Sequence, residues 1–169
     1  LLKEVLDDVL ANVPKEKIDD RILNFKSSMN TMPIDNISMP TGVKSLKKYT
    51  QRKLKNQTFS KFKSGAPVHV KSAVNYNDLL LHFEISKQYL YISSAEKIRW
   101  VYLTKNPLGI ESLAYKGYED PKEILQYIRN YIDLDKMYDK NLHRKIMMFY
   151  DAMAWSKPVD KNFTLERFF

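Results

Sequence analysis

The sequence predicts an α+β fold, a mostly helical domain with a small antiparallel sheet or hairpin, on three observations. Apolar residues recur at helical spacing near both ends of the chain. Residues Lys97 to Thr104 alternate as a strand does, and Asn106-Pro107-Leu108-Gly109 stands where a hairpin would turn.

The elements follow in order. Leu2, Val5, Leu6, Val9 and Leu10 define a first helix ending near Asn12. Pro14, suited to a first helical turn, opens a second, whose apolar positions Ile18, Ile22, Leu23 and Phe25 precede a stop at Pro33. Ile34 to Met39 reads as a short extended piece, after which Pro40 and Gly42 turn the chain. Ser64-Gly65-Ala66-Pro67 reads as a loop and helix start; Val70, Ala73, Val74 and Leu81 supply the buried face of a helix running to about Phe83. In the Lys97 to Thr104 strand, Ile98, Trp100 and Tyr102 take one face and Arg99, Val101 and Leu103 the other, with Leu113 to Lys116 pairing across the turn. Pro121 opens a short helix, and a long one runs from about Asp133 to Trp155. No internal repeat or low-complexity tract interrupts this order, so the partition is one domain over 1–157 and a C-terminal tail over 158–169.

Charge is the most informative property of the chain. From Asn36 to Asn77 there is no acidic residue, while Lys44, Lys47, Lys48, Arg52, Lys53, Lys55, Lys61, Lys63 and Lys71 all lie within that stretch; the whole chain carries a formal net charge of +8. The charge is localised, and a polyanion is its natural partner. Interleaved Tyr49, Phe59, Phe62 and Tyr76 suit nucleic acid better than a plain electrolyte tail, the bland alternative being a solvated basic loop. The last long helix repeats the theme. Leu134, Tyr138, Leu142, Ile146, Phe149 and Met153 form a core stripe, while Lys136, Lys140 and Arg144 recur every fourth residue about 200° away. Asp135 and Asp139 beside them offset part of that field.

Composition excludes several classes. At 169 residues with 44% hydrophobic content, the chain is one domain in size and long enough to bury a real core. With no cysteine there is neither a disulfide framework nor a thiolate metal site. No apolar run approaches the roughly 20 residues that cross a bilayer, and the chain reads as soluble and intracellular. An anionic membrane surface is a weaker partner than nucleic acid, because the basic segment has no continuous apolar face. The start at Leu1, directly in a helical pattern, suggests a fragment or a processed product. His69, His82 and His143 lie far apart without ligand spacing, and the four glycines are not clustered into a phosphate loop. No nucleophile elbow is visible. Asp133, Asp135 and Asp139 gather at a helix N-terminus, where the helix dipole accounts for them. Two-metal phosphoryl transfer needs convergent aspartates that this chain does not offer.

The motifs carry a specific resemblance. Lys48-Tyr49, then the run from Lys63 through Gly65, Pro67, His69 and Lys71 to Asn75-Tyr76-Asn77, is similar to the thumb domain of family B replicative DNA polymerases of tailed bacteriophages. Glu96-Lys97-Ile98-Arg99-Trp100-Val101-Tyr102-Leu103, Asn106-Pro107-Leu108-Gly109, Tyr131-Ile132-Asp133, Ala152-Met153-Ala154-Trp155 and Thr164-Leu165-Glu166-Arg167-Phe168-Phe169 continue that pattern in the same order. The resemblance spans nearly the whole chain from about Pro33. It departs at Lys71-Ser72, where the family has Arg-Gly: a bidentate donor is lost and a side chain is added at a close-packed turn.

The resemblance implies a domain that grips the primer–template duplex through its backbone, with Lys48, Tyr49, His69, Lys71, Lys140 and Arg144 near the sugar-phosphates. The DNA-binding candidates are therefore these six together with Lys44, Lys47, Lys61, Lys63, Asn75 and Tyr76. Leu165, Phe168 and Phe169 resemble the family's sliding-clamp peptide, the alternative being that the terminal aromatics fold back onto the domain's own core. No cofactor is expected in this chain. The complete polymerase would hold Mg²⁺ and supply the exonuclease, palm and finger domains, so this part of a nucleotidyltransferase should be inactive alone. Its setting would be the cytoplasm of an infected bacterium. The alternative is a stand-alone nucleic-acid-binding adaptor that never joins a polymerase, structured RNA being one candidate partner.

Overall fold

The computed structural model describes residues 1–51 and 59–158. It has an α+β fold, with helices and a three-stranded antiparallel sheet, and it divides into two compact units. One unit takes in residues 1–32 and the chain from Leu134; the other is Pro33–Asp133. Among the described residues no helix is long and apolar enough to cross a membrane.

The Pro33–Asp133 unit holds the sheet, with strands β1 (Met39–Gly42), β2 (Lys97–Tyr102) and β3 (Ser112–Tyr115) in the order β1-β2-β3. The expected hairpin is present, Val101 standing opposite Leu113 and Trp100 opposite Ala114. Asn106 shapes its turn: its side-chain amide donates to the carbonyls of Thr104 and Ile110, both at 2.7 Å. The extended piece expected over Ile34 to Met39 is instead a short helix, Ile34–Ile37, and Pro40 and Gly42 lie inside β1 rather than turning the chain. Met39 pairs with Trp100, a contact 61 residues away that no local pattern announces. Pro40 is tolerated because β1 is an edge strand. At the end of β1, Val43 faces two residues of the partner: its N–H donates to the Glu96 carbonyl at 2.8 Å, and its carbonyl accepts from the Ala95 N–H at 2.7 Å. Ala95 is left-handed there (φ 76°), which makes the pair a bulge at the mouth of the basic segment.

The long helix of this unit, Val68–His82, packs against β2 and β3. Val70, Ala73 and Val74 are buried as expected, but Leu81 is 48% exposed. The buried set runs nearly continuously from Val70 to Leu80 and takes in Ser72, Asn75 and Asp78, as befits a central helix rather than a surface one. Asn75 Nδ2 donates to the Ser112 carbonyl of β3 at 2.8 Å. Asn75→Ala leaves that buried acceptor unsatisfied and is expected to cost about 1–3 kcal/mol. Urea unfolding monitored by far-UV circular dichroism checks this, and an unchanged midpoint would show that the bond contributes nothing. Pro121 precedes the helix Lys122–Tyr131, which turns buried Ile124 and Ile128 inward.

The other unit is helical: Leu2–Leu10, Lys15–Ser28, and a final run of Leu134–Tyr138, a π-helical turn Asp139–His143 and Arg144–Ala152. The π turn, at about 4.4 rather than 3.6 residues per turn, rotates the phase of everything after it. Met137, Tyr138, Ile146, Met147 and Tyr150 are therefore the buried residues, while Leu142 is only half-buried and Met153 is 46% exposed, against the stripe expected from sequence. Tyr150 donates to Asp19 Oδ1 at 2.5 Å, and the edge of its ring meets Trp155 at 5.5 Å between centroids.

Candidate nucleic-acid interface

The basic segment leaves the bulge at Val43 and exposes Lys44. Ser45, left-handed at φ 57°, turns the chain into a single helical turn, Leu46–Tyr49, that presents Lys47 and Lys48 to solvent. The Lys48 ammonium sits 5.3 Å from the centroid of the Tyr49 ring. The two ends of the segment then pair. Gln51 N–H donates to the Lys61 carbonyl and Lys63 N–H to the Tyr49 carbonyl, both at 2.9 Å, around an antiparallel bridge between Thr50 and Phe62. Alternation along this ribbon puts Lys61 and Lys63 on one face, opposite Gln51 and Tyr49 on that same face. A lysine pair and an aromatic ring are thereby gathered by backbone bonds rather than left to a free loop.

The ribbon is fastened below. Ser60 N–H donates to Asp78 Oδ2 at 2.6 Å, so the first acid after the acid-free stretch anchors it from within the long helix. Ala66 N–H donates to the Lys63 carbonyl at 3.2 Å, and Gly65, at φ 76°, makes the turn into Pro67 and the helix start. His69 lies in the first turn, half-buried; burial lowers its pKa from the ordinary 6.5, so near neutral pH it is an uncharged hydrogen-bonding group. Lys71 is half-buried one position beyond Val70. Ser72 does not occupy a close-packed turn: it is inside the helix, buried, and its hydroxyl donates to the Val68 carbonyl at 2.8 Å.

Two expected contacts lie out of reach of a ligand on the surface. Asn75 is 4% exposed and committed to β3, and Tyr76 is 1% exposed. Burial, then the charges of Asp120 and Glu96, raises the pKa of the Tyr76 hydroxyl. Lys44, Lys47, Lys48, Tyr49, Lys61, Lys63, His69 and Lys71 remain as a set on one unit. Among the described residues none of these lysines is ion-paired. An exposed cation without an internal partner keeps its full attraction for an external anion.

Lys140 and Arg144 belong to the other unit and are differently placed. Asp139 Oδ2 lies 3.3 Å from Arg144 Nε and 3.9 Å from Lys140 Nζ, the five-residue spacing of the π turn bringing the acid under the arginine. One carboxylate thus already offsets part of the charge of these two cations. Arg52, Lys53 and Lys55, and the tail residues Leu165, Phe168 and Phe169, lie outside the described residues. Among the described residues no three His, Cys, Asp or Glu side chains converge to hold a metal ion. The residues the sequence does not single out are Gln51 and Asp78, which build the ribbon. The only signal for Asp78 was its place as the first acid after the basic stretch. No model of a known protein family and no curated protein matches this chain.

Proposed function

We propose that this chain is the C-terminal thumb fragment or subunit of a family B DNA-directed DNA polymerase. It holds the primer–template duplex through the backbone and docks to the sliding clamp through Leu165, Phe168 and Phe169. The observation that carries the reading is the ribbon of unpaired lysines, with Tyr49 beside Lys61 and Lys63, seated on the helix that begins at Val68. Lysines at ribbon spacing suit phosphates of any sequence, because backbone contacts position a protein without reading bases. A neutral His69 in the first helical turn adds a donor for a phosphate oxygen without adding charge. The order of motifs from Lys48-Tyr49 to Thr164-Leu165-Glu166-Arg167-Phe168-Phe169 supports a thumb over a generic basic surface. Nucleotidyl transfer and its Mg²⁺ belong, on this reading, to palm residues outside this chain.

Fluorescence anisotropy of a labelled primer–template duplex, titrated at several salt concentrations beside single-stranded DNA and duplex RNA, tests it. Preference for the DNA duplex is expected, with a log–log salt slope of about −4.5 for about five neutralised phosphates. Equal or tighter binding to RNA would favour an adaptor, and absence of binding at low salt would overturn the reading. Restoration of processive synthesis when the chain is mixed with a matching finger-and-palm fragment separates a thumb from any adaptor.

A further inference from the structure

Away from the lysine ribbon, the Pro33–Asp133 unit carries a cavity of about 330 Å³ lined by Tyr76, Gln88, Tyr89, Leu90, Lys116, Tyr118 and Glu119. Its size is at the lower end of small-ligand pockets, which run about 300–1,000 Å³. Three of the lining residues are tyrosines: Tyr76, which is buried, and the more accessible Tyr89 and Tyr118. The rim is unusually apolar for solvent: Leu90 is 82% exposed and Tyr118 61% exposed, with Tyr91 beside them at 44%.

The walls are built before any ligand arrives. Asp120 accepts the Lys116 N–H at 2.8 Å and the Gly117 N–H at 2.7 Å, closing the turn that displays Tyr118 and Glu119, with Gly117 and Glu119 both left-handed. Lys116 Nζ reaches the opposite wall, donating to the Tyr91 carbonyl at 3.3 Å and lying 3.5 Å from Glu96 Oε2. Its side chain is only 7% exposed, so this cation is already answered by a carboxylate. Burial works to raise the Glu96 pKa, but hydrogen bonds from Ser93 and the Lys116 charge outweigh it and hold the group below its ordinary value, as a partner for Lys116. Glu119 is exposed and, among the described residues, makes no ion pair. With Lys116 paired to Glu96, Glu119 is the lining charge left without an ion pair among the described residues.

Aromatic faces combined with an unpaired carboxylate select an organic cation over an anion or a neutral ring. We propose that this cavity is a guanidinium site, taking an arginine side chain against Tyr89 and Tyr118 with Glu119 as the ion partner. Arginine fits better than lysine because its plane stacks on tyrosine faces while its edge offers two parallel donors to a carboxylate. A nucleotide is disfavoured, since its phosphate would meet the unpaired Glu119 carboxylate while Lys116 is already held by Glu96. The site lies apart from the lysine ribbon in residues and opposite to it in sign, and the inference does not depend on the duplex reading.

The test is a titration of the ¹⁵N-labelled full chain, followed by amide shifts, with a capped Ala-Arg-Ala peptide, its citrulline counterpart, free agmatine and adenosine monophosphate as separate probes. Saturable shifts confined to Gln88 to Tyr91 and Lys116 to Asp120, with a dissociation constant on the order of 1 mM for the arginine peptide, are expected. The neutral citrulline peptide should bind at least about tenfold more weakly, as should the arginine peptide to Glu119→Gln. Both changes leave folding untouched, the first because the protein is unaltered and the second because Glu119 is exposed. Agmatine binding as tightly as the peptide would assign the site to a free small cation. Stronger peptide binding assigns it to a partner protein's side chain. Equal binding of citrulline, tighter binding of adenosine monophosphate, or no saturable shift would overturn the proposal.

Discussion

Replacing Lys47, Lys48, Lys61 and Lys63 together by glutamine is expected to lower affinity for duplex DNA by on the order of 10²- to 10³-fold at physiological salt and to flatten the log–log salt slope by about 3.6. Each lysine that neutralises a phosphate releases counterions, and the slope counts those contacts at about 0.9 each. All four side chains are exposed, so melting temperature should hardly move, which separates lost binding from lost fold. The Lys140→Ala/Arg144→Ala variant should lose much less, because Asp139 already offsets those cations at 3.9 and 3.3 Å. Anisotropy titrations of both variants at several salt concentrations read this directly. An equal loss from the two would move the grip toward the helical unit, and no loss from the quadruple variant would sink the ribbon as the interface.

Above about pH 10 the folded state is expected to lose stability, by at most about 1.4 kcal/mol per pH unit for each buried tyrosine that keeps its proton. Tyr76, Tyr115 and Tyr150 lead this, and Tyr127 and Tyr138, also raised by burial, add to it. Burial raises the pKa of each hydroxyl, and for the first three a neighbouring carboxylate raises it further: Asp120 for Tyr76, Asp35 for Tyr115 and Asp19 for Tyr150. At Tyr115 the hydrogen bond with Ser38 and the Arg99 charge oppose the shift without reversing it. The sign follows from proton release. An unfolded tyrosine ionises near pH 10, whereas the folded one keeps its proton to higher pH, so the unfolded state binds fewer protons throughout that window. Stability contributed by these groups is complete below the unfolded value and is lost as pH rises toward the folded one. Thermal unfolding by circular dichroism between pH 8 and 11 should show the fall, with Tyr115→Phe and Tyr150→Phe each making the slope shallower. A flat profile would mean that the hydroxyls ionise in the folded protein as freely as in the unfolded chain.

How much of this was legible in the sequence depended on whether the deciding interaction was local. Val5, Ile18, Ile22 and Val70 announced their helices through spacing, and Pro14, Pro67 and Pro121 marked starts that the structure keeps. The hairpin was readable because its two strands lie close together in the sequence, on either side of Asn106-Pro107-Leu108-Gly109. β1 was not, since Pro40 reads as a breaker until the distant strand at Lys97–Tyr102 pairs with it. The face of the last helix was misplaced because periodicity assumes 3.6 residues per turn, and the π turn at Asp139–His143 breaks that assumption in mid-course. At the candidate interface the cations were plain from charge alone, while Asn75 and Tyr76 were assigned outward from a helix that is buried nearly all round. The guanidinium pocket left no trace in the sequence, its residues coming from three separated stretches.

The bond from Asn75 to Ser112 has a consequence for how copies of this chain behave together. The Leu103 N–H to Glu111 carbonyl bond, at 2.9 Å, fixes the ladder phase so that the Ser112 carbonyl points away from β2, toward the buried outer margin of the sheet. Asn75 occupies the position that a neighbouring molecule's backbone amide would otherwise take. At the opposite margin the Val43 to Glu96 bond sets the phase that turns the nitrogen of Pro40 outward, and that nitrogen carries no hydrogen to offer. Both margins are thus poor templates for a fourth strand, and a concentrated solution of this chain is guarded against sheet-to-sheet polymerisation by one amide and one imino acid.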